Sequence, residues 1–339
     1  MRILAVFCVV ILHVSAAGFH RYPVSMPEWQ AFNIVDGAVR FCVPLLVMIS
    51  GTLFLNPDKE IRIKTLYQKY ILRIVIAFFF WSAFYAIYAL EPYKGIAPSS
   101  SDWFLTRLLT GEFHLWFLFM IAGLYIIVPF LRKITAYKKL TEYFLLLALI
   151  FTMIIPALLL IKIPKYEVFT GNLENMNFFF VLGFTVYFVA GYYFSVYPVK
   201  KTARLVIYIL GIVSVILTII LTGYLSGNNG VPTEALHGFL LPNIAVFTLA
   251  VFLFLKSVFE NKEFKESAVR TILLISKCSF GIYLVHAFFM ILFFTYIDFY
   301  QELYNPIILI PVISVAIYAC SFVVSFLLNK IPVLNRYIV

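Results

Sequence analysis

The sequence predicts an all-α membrane protein, a single domain over residues 1–339 with about ten transmembrane helices and both termini in the cytoplasm. The 339 residues are 63% apolar and 12% charged, and the mean hydropathy is +0.99. No soluble globular domain has such a composition. The apolar runs are about twenty residues long and lack the alternation of apolar and polar residues that marks barrel strands, so they are helices. Membrane lipids therefore surround most of this chain.

The distribution of Lys and Arg supports this topology. Twenty of the 26 Lys and Arg residues fall in segments on the side of Met1, five fall in the opposite loops, and Arg40 lies inside a span. Because basic residues accumulate in short cytoplasmic loops, this bias favours ten spans with the N-terminus inside. The net charge of +10 reports this orientation and does not indicate nucleic-acid binding. The predicted spans are residues 3–19, 31–55, 71–90, 115–131, 143–161, 178–196, 205–224, 239–259, 278–297 and 306–328.

The cysteines and the first span further restrict the class of membrane protein that this sequence can encode. All four cysteines lie within apolar spans, where they are small buried side chains and not disulfides or metal ligands, so no metal is expected. The first span is too long for a signal peptide and lacks a cleavage site, so we expect it to be retained. Arg2 follows Met1 directly, which leaves open whether the natural chain begins further upstream.

His13 lies near the middle of the first span. Ten residues of helix separate it from Ile3, roughly 15 Å, which is half of a ~30 Å hydrocarbon core. An ionisable side chain at this depth is costly, which favours a functional role. The simpler alternative is a histidine that only hydrogen-bonds a neighbouring helix.

The second span carries two charged residues, Asp36 and Arg40, which are four residues apart on one helix face and can pair. Counted from Ala31, Arg40 lies roughly 13–14 Å deep, which predicts a depth close to that of His13. The pair is either purely structural or lines a polar cavity shared with His13, and the two interpretations are compatible. Pro44 is expected to kink this helix and free backbone carbonyls.

Other polar residues at span ends have a simple and a functional interpretation. Lys69 and Arg73 lie one turn apart at the start of the third span, where they signal orientation or grip the phosphates of an anionic cofactor. His114 and Trp116 open the fourth span, and such residues are ordinary at a membrane interface. His286 is a second histidine within the membrane, and a hydrogen bond between helices is its simplest role.

Four motifs together resemble the acyltransferase 3 family of polytopic membrane enzymes, and in particular its surface-polysaccharide O-acetyltransferases. Arg2 and His13 have the spacing of the family's first-helix motif: a basic residue, ten residues and a histidine. The stretches VPLLVMISG, HLWFL and SFGIYLVH match its second-helix, fourth-helix and late motifs. Where the family commonly has Arg-x-x-Arg at the third helix, this chain has Tyr70-Ile-Leu-Arg73, with Lys69 beside it.

The resemblance implies transfer of an acetyl group from cytoplasmic acetyl-CoA to a hydroxyl of a surface glycan or its lipid-linked precursor, in the cytoplasmic (inner) membrane of a bacterium. His13 would be the base or the acyl acceptor, and Arg40, beside Asp36, would stabilise the developing oxyanion. Direct transfer and an acyl-histidine intermediate both remain open. The expected donor-binding residues are Arg2, Lys69, Arg73 and Ser50, and the expected acceptor-binding residues are His114, Trp116, Tyr283 and His286.

Three other functions are compatible with the sequence. A glycan exporter or other transporter would use the His and Arg residues inside the membrane as a permeation path, although no inverted repeat is evident. Another acyl group, such as succinyl, fits the same scaffold. A purely structural membrane subunit fits the buried ionisable groups least well. The identity of the acceptor and the formation of a homo-oligomer are left open by the sequence.

Overall fold

The computed structural model describes residues 1–89, 101–160, 171, 175, 183–260, 262–296 and 305–339. Within these ranges the ordered elements are helices, and no strand occurs among them. Nine of the described helices are long and apolar enough to cross a membrane, which confirms the predicted all-α, multi-pass architecture. They correspond to the predicted first to fifth and seventh to tenth spans, and each carries the number of its predicted span. In chain order, they are Arg2–Arg21, Pro27–Phe54, Ile63–Tyr88, Trp116–Thr135, Lys138–Leu159, Lys201–Asn229, Pro242–Phe259, Glu266–Thr295 and Pro306–Asn329.

The predicted sixth span, residues 178–196, lies partly outside the described residues. Its described part is the helix Thr185–Val196. Near the end of this helix, the hydroxyl of Tyr193 donates a hydrogen bond of 2.7 Å to Glu142, which lies at the start of the fifth span. The helix therefore ends on the side where the fifth span begins, as a sixth crossing of the membrane requires.

Contacts between span ends agree with spans that alternate in direction. Arg132, at the end of the fourth span, donates to the carbonyls of Phe54 (3.1 Å) and Pro57 (3.2 Å) at the end of the second span. His20, at the end of the first span, lies 3.2 Å from Glu234, in the loop that follows the seventh span. The second and fourth spans thus end next to each other, and so do the first and seventh spans.

The second span is broken where its charged residues lie. Its two helices, Pro27–Val39 and Cys42–Phe54, are separated by Arg40 and Phe41. Pro44 explains the break, because a proline ring lacks the N–H that would bond the carbonyl four residues earlier and clashes with that carbonyl. The interruption predicted from Pro44 is confirmed, and the residue four positions earlier is Arg40.

The chain forms two compact units. The first consists of Met1–Lys59, Phe130–Phe264 and Glu302–Val312, and the second of Glu60–Pro129, Lys265–Gln301 and Ile313–Val339.

In the first unit, the second span and the helix Thr185–Val196 touch backbone to backbone. A Cβ atom at Gly51 would collide with the carbonyl of Phe188, and one at Gly191 would collide with the carbonyl of Met48. Glycines let membrane helices approach this closely, and side chains of any size at these positions would force the helices apart. In the second unit, the short helices Ser101–Thr110 and Pro332–Tyr337 pack against the third span.

Cysteine labelling should place the two ends of the spans on opposite sides of the membrane. In a chain whose native cysteines are replaced by alanine, we expect Lys138→Cys to react with a membrane-impermeant maleimide only in inverted vesicles. Asn228→Cys should react only in intact cells, because the fifth span begins on the side where the basic residues collect and the seventh span ends on the other. Reaction of both positions from the same side would contradict the ten-span topology.

Candidate active site

A buried ion pair in the second span is the centre of the candidate site. Nε of Arg40 donates to Oδ1 of Asp36 at 2.5 Å. Asp36 is fully buried, and Arg40 is 8% exposed. The pair predicted from the four-residue spacing is therefore present. Two buried charges are tolerated only where further partners satisfy their remaining donors and acceptors, because both have lost their hydration.

Those further partners come from the loop between the seventh and eighth spans. Oε1 of Glu234 accepts a hydrogen bond from Nη2 of Arg40 at 3.1 Å and lies 3.2 Å from Nε2 of His20. His237 is buried, and its Nδ1 lies 3.2 Å from Oδ1 of Asp36, an ion-pair distance at an angle too bent for a regular hydrogen bond. The site thus joins the first span, the second span and a loop far away in the sequence.

The charges around Arg40 are set by this environment. Burial, together with the positive charge of Arg40, lowers the pKa of His237 to about 3, so this ring is neutral at pH 7. Burial by itself would raise the pKa of Glu234, but Arg40 and then His20 bring it below its ordinary value, so Glu234 is an anion. Arg40 therefore faces two acidic side chains and one neutral imidazole.

The loop that carries Glu234 and His237 is held by its neighbours independently of these charges. Side chains of three helices bond to its backbone, so its position over the second span is fixed at several points. The bonds run from Thr233 N to Ser226 Oγ (3.0 Å), from Asn243 Nδ2 to Leu236 O (2.9 Å) and from Tyr187 Oη to Phe239 O (2.5 Å).

His13 lies on the first span, two turns before His20. A separation of seven residues puts the two side chains on the same helix face, roughly 10 Å apart along the axis. The guanidinium of Arg40 binds Glu234 beside His20, so its contacts lie nearer to the end of the first span than the depth predicted for it from the sequence. A site shared by His13 and Arg40 stays a prediction.

Two of the predicted donor-binding residues belong to the first unit. Arg2 is exposed at the start of the first span. Ser50 is half-buried, and its hydroxyl donates to the carbonyl of Leu46 in its own helix at 3.0 Å.

In the second unit, Arg73 is held by residues at the far end of the chain. Its Nη2 donates to the carbonyl of Val339, and its guanidinium lies 5.2 Å from the ring centre of Phe280. Two turns along the third span, Nε1 of Trp81 donates to the carbonyl of Ile338 at 3.1 Å. Lys69, one turn before Arg73, is exposed. Arg73 is therefore already bound within the protein.

Three of the predicted acceptor-binding residues meet in one buried cluster. His114 and His286 are both fully buried, and their ring centres are 5.0 Å apart. The hydroxyl of Tyr283 donates to the carbonyl of His114, and Nδ1 of His286 lies 2.6 Å from the carbonyl of Tyr283. A carbonyl only accepts, so Nδ1 of His286 carries the hydrogen. Trp116, the fourth residue, is 38% exposed at the start of its span.

Glu234 and His237 are the residues of this site that reasoning from the sequence missed. They occupy a turn-rich loop, and a histidine there is usually exposed and uninformative. The sequence held only an indirect signal. Asp36 and Arg40 are charges within a span and therefore need partners. The loop after the seventh span lies on the side where the second span begins, and it carries an acidic residue and a histidine that could be those partners.

Ionisable groups buried between apolar spans define a polytopic membrane protein with a polar site inside its helix bundle. The family model described as an acyltransferase domain, that of acyltransferase 3, matches residues 1–328 of the 339-residue chain. The chain belongs to this family, as the motifs predicted, and is a multi-pass membrane acyltransferase. Neither the curated proteins nor the solved structures include a match to it.

Removing one member of the ion pair should cost more stability than removing both. Asp36→Leu leaves Arg40 charged and buried, so we expect the free energy of unfolding to fall by about 3 kcal/mol. Asp36→Leu combined with Arg40→Leu should recover most of this loss, because apolar residues of similar volume need no hydration. The check is the thermal unfolding midpoint of each variant in detergent. A single variant as stable as the wild type would show that the pair does not constrain the fold.

Proposed function

We propose that this acyltransferase moves an acetyl group from cytoplasmic acetyl-CoA to a hydroxyl of a surface glycan, or of its lipid-linked precursor, in the cytoplasmic membrane of a bacterium. Family membership supports acyl transfer. The observation that supports chemistry inside the membrane is the buried group of Asp36, Arg40 and His237, because ionisable groups are kept within a helix bundle mainly where they have a function.

His13 is the proposed base. Transfer from a thioester to a hydroxyl forms a C–O bond and breaks a C–S bond; the hydroxyl loses its proton, and the departing thiolate takes one up. A sugar hydroxyl is a weak nucleophile, and imidazole can accept its proton because the ordinary pKa of histidine lies near neutrality. An acyl-His13 intermediate that is then attacked by the hydroxyl has the same overall balance.

Arg40 is the proposed cation that stabilises the oxyanion formed from the thioester carbonyl. Asp36 anchors it through Nε, which leaves the rest of the guanidinium to bind a substrate. Because Nη2 is bonded to Glu234 in this structure, the proposal requires the guanidinium to turn from Glu234 toward His13 when substrate is bound.

The proposed substrate contacts follow the motifs. On the donor side, cations at the cytoplasmic ends of the spans would bind the phosphates of coenzyme A. On the acceptor side, the partly exposed ring of Trp116 would face the sugar. The donor residues are Arg2, Lys69, Arg73 and Ser50, and the acceptor residues are His114, Trp116, Tyr283 and His286.

The proposed function is tested by the esters on the host's surface glycans. Mass spectrometry of these glycans with and without the gene should show acetyl esters only when the gene is present. Membrane vesicles from the host, supplied with acetyl-CoA or with succinyl-CoA, would then identify the acyl group. Succinyl esters would correct the acyl group within the same function, and unchanged glycans would refute the function.

His13→Ala should abolish acetylation of the glycan. Loss of a general base typically lowers the rate ~10²–10⁴-fold, so ester content should fall to background in cells that contain a correctly inserted and stable variant. The comparison variant is His286→Ala, which removes a buried histidine from the second unit: if His286 only packs, the substitution should lower the thermal midpoint more than turnover. Near-normal acetylation by a stable His13→Ala protein would overturn the mechanism, and loss of turnover in His286→Ala alone would move the base to the ninth span.

Arg73→Ala should raise the KM for acetyl-CoA more than it changes the acceptor dependence, because a phosphate contact made before the reaction is lost. The measurement is the initial rate in membrane vesicles at varied acetyl-CoA concentration. The matched control is Trp81→Phe, which breaks the other bond to residues 338 and 339 and leaves the cation in place. A donor KM that rises equally in both variants would point to loss of the chain's own packing, and an unchanged donor KM in Arg73→Ala would exclude the phosphate contact.

A further inference from the structure

We propose that His237 is a positioning residue of the active site: its ring holds the Asp36 carboxylate, and so keeps Nε of Arg40 anchored while the rest of the guanidinium turns toward the substrate. The inference rests on the proposed function, since it gives His237 a part in that reaction. It starts from the contacts of a buried histidine that no motif marks.

The ring of His237 is enclosed on every side that the structure describes. The residue is 1% exposed. Its Nδ1 lies 3.2 Å from Oδ1 of Asp36, and its Nε2 lies 3.4 Å from Oγ1 of Thr222. The ring also lies against that of Phe19 in a tilted arrangement, with the ring centres 5.4 Å apart. These contacts come from three helices, so the ring has one position and one orientation.

The neighbours of His237 also determine which ring nitrogen carries the hydrogen. An ionised carboxylate only accepts, so the nitrogen facing Asp36 is the protonated one. The nitrogen facing Thr222 is then the acceptor for the threonine hydroxyl. The lowered pKa of His237, about 3, is in keeping with a neutral ring that has one hydrogen. The Thr222 hydroxyl thus holds one side of the ring, and the other side presents its N–H to the Asp36 carboxylate at contact distance.

The ring of His237 restrains the carboxylate that anchors Arg40. Oδ1 of Asp36 accepts the hydrogen bond from Nε of Arg40 and lies 3.2 Å from Nδ1 of His237, a contact too bent for a regular hydrogen bond. Oδ2 has no hydrogen-bond partner among the described residues, so the two groups at Oδ1 alone orient the carboxylate. Because His237 is neutral, it orients Asp36 without competing with Arg40 as a second cation. Loss of the ring would free the carboxylate to rotate and carry the guanidinium with it.

Two substitutions of His237 and one control variant distinguish the positioning role of His237 from simple packing. His237→Phe keeps the ring volume and removes both nitrogens. His237→Asn places an amide N–H where Nδ1 stands and loses the Thr222 contact. The matched control, Ser226→Ala, removes a bond to the same loop at Thr233 and does not touch Asp36. Each is expressed in the host, quantified in membrane vesicles and supplied with radiolabelled acetyl-CoA, with label transferred to the endogenous glycan fraction as the readout.

We expect His237→Phe to lower the maximal rate ~10–100-fold, the size of the loss known from groups that orient metal ligands, while the KM for acetyl-CoA stays unchanged. His237→Asn should recover most of the rate, and Ser226→Ala should keep it. A wild-type rate in His237→Phe would overturn the proposal, as would equal losses in the Asn and Phe variants at equal amounts of inserted protein. If His237→Phe fails to insert, Thr222→Val takes its place: a lowered maximal rate supports the positioning role, and an unchanged rate contradicts it.

A nitrogen-15 spectrum of histidine-labelled protein separates this proposal from the proposed function. The His237 resonance, assigned by its loss in His237→Asn, should show a neutral ring with hydrogen on Nδ1 at pH 7. An imidazolium, or hydrogen on Nε2, would refute the positioning role whatever the enzyme's activity. A wild-type protein that transfers no label from acetyl-CoA would refute the proposed acetyl transfer to the glycan instead, and would do so without altering the spectrum.

Discussion

The burial of Arg40 is the constraint on which the site depends. A guanidinium removed from water needs an acidic partner in direct contact and further acceptors for its remaining hydrogens. Asp36, one turn away, meets the first need, and Glu234 meets the second across 194 residues of sequence. The loop between the seventh and eighth spans must therefore lie over the second span. The helix break caused by Pro44 falls at Arg40, which is the residue that Glu234 of this loop binds.

Much of the fold could be predicted because hydrophobicity and loop charge are local properties of the chain. Among the described residues, nine spans appear where apolar runs of sufficient length occur, and the ion pair of Asp36 and Arg40 follows from helical spacing alone. Boundaries were less accurate, because a helix does not have to stop where the membrane does. The ninth span, predicted from residue 278, begins at Glu266.

The rest of the site depends on contacts between distant segments, and these leave no local signature. His237 lies in a polar, turn-rich loop, and nothing in its neighbourhood distinguishes a buried histidine from an exposed one. Arg73 shows the same limit of prediction from the sequence. Its position at the start of the third span suggested a cation that could bind a ligand, yet the carbonyl of Val339 already binds it. Its partner is a backbone atom, which any residue at position 339 would supply, so no side-chain pattern could reveal the contact.

The contact through Gly51 and Gly191 has a consequence for how the chain assembles. A slide of one residue would replace a glycine with Ser50, Thr52, Ala190 or Tyr192 against a facing carbonyl, so only one register is free of collision. During synthesis, the second span leaves the ribosome more than a hundred residues before this helix does. Until then Gly51 stays uncovered in the bilayer, and the later helix can pack against it in one register only.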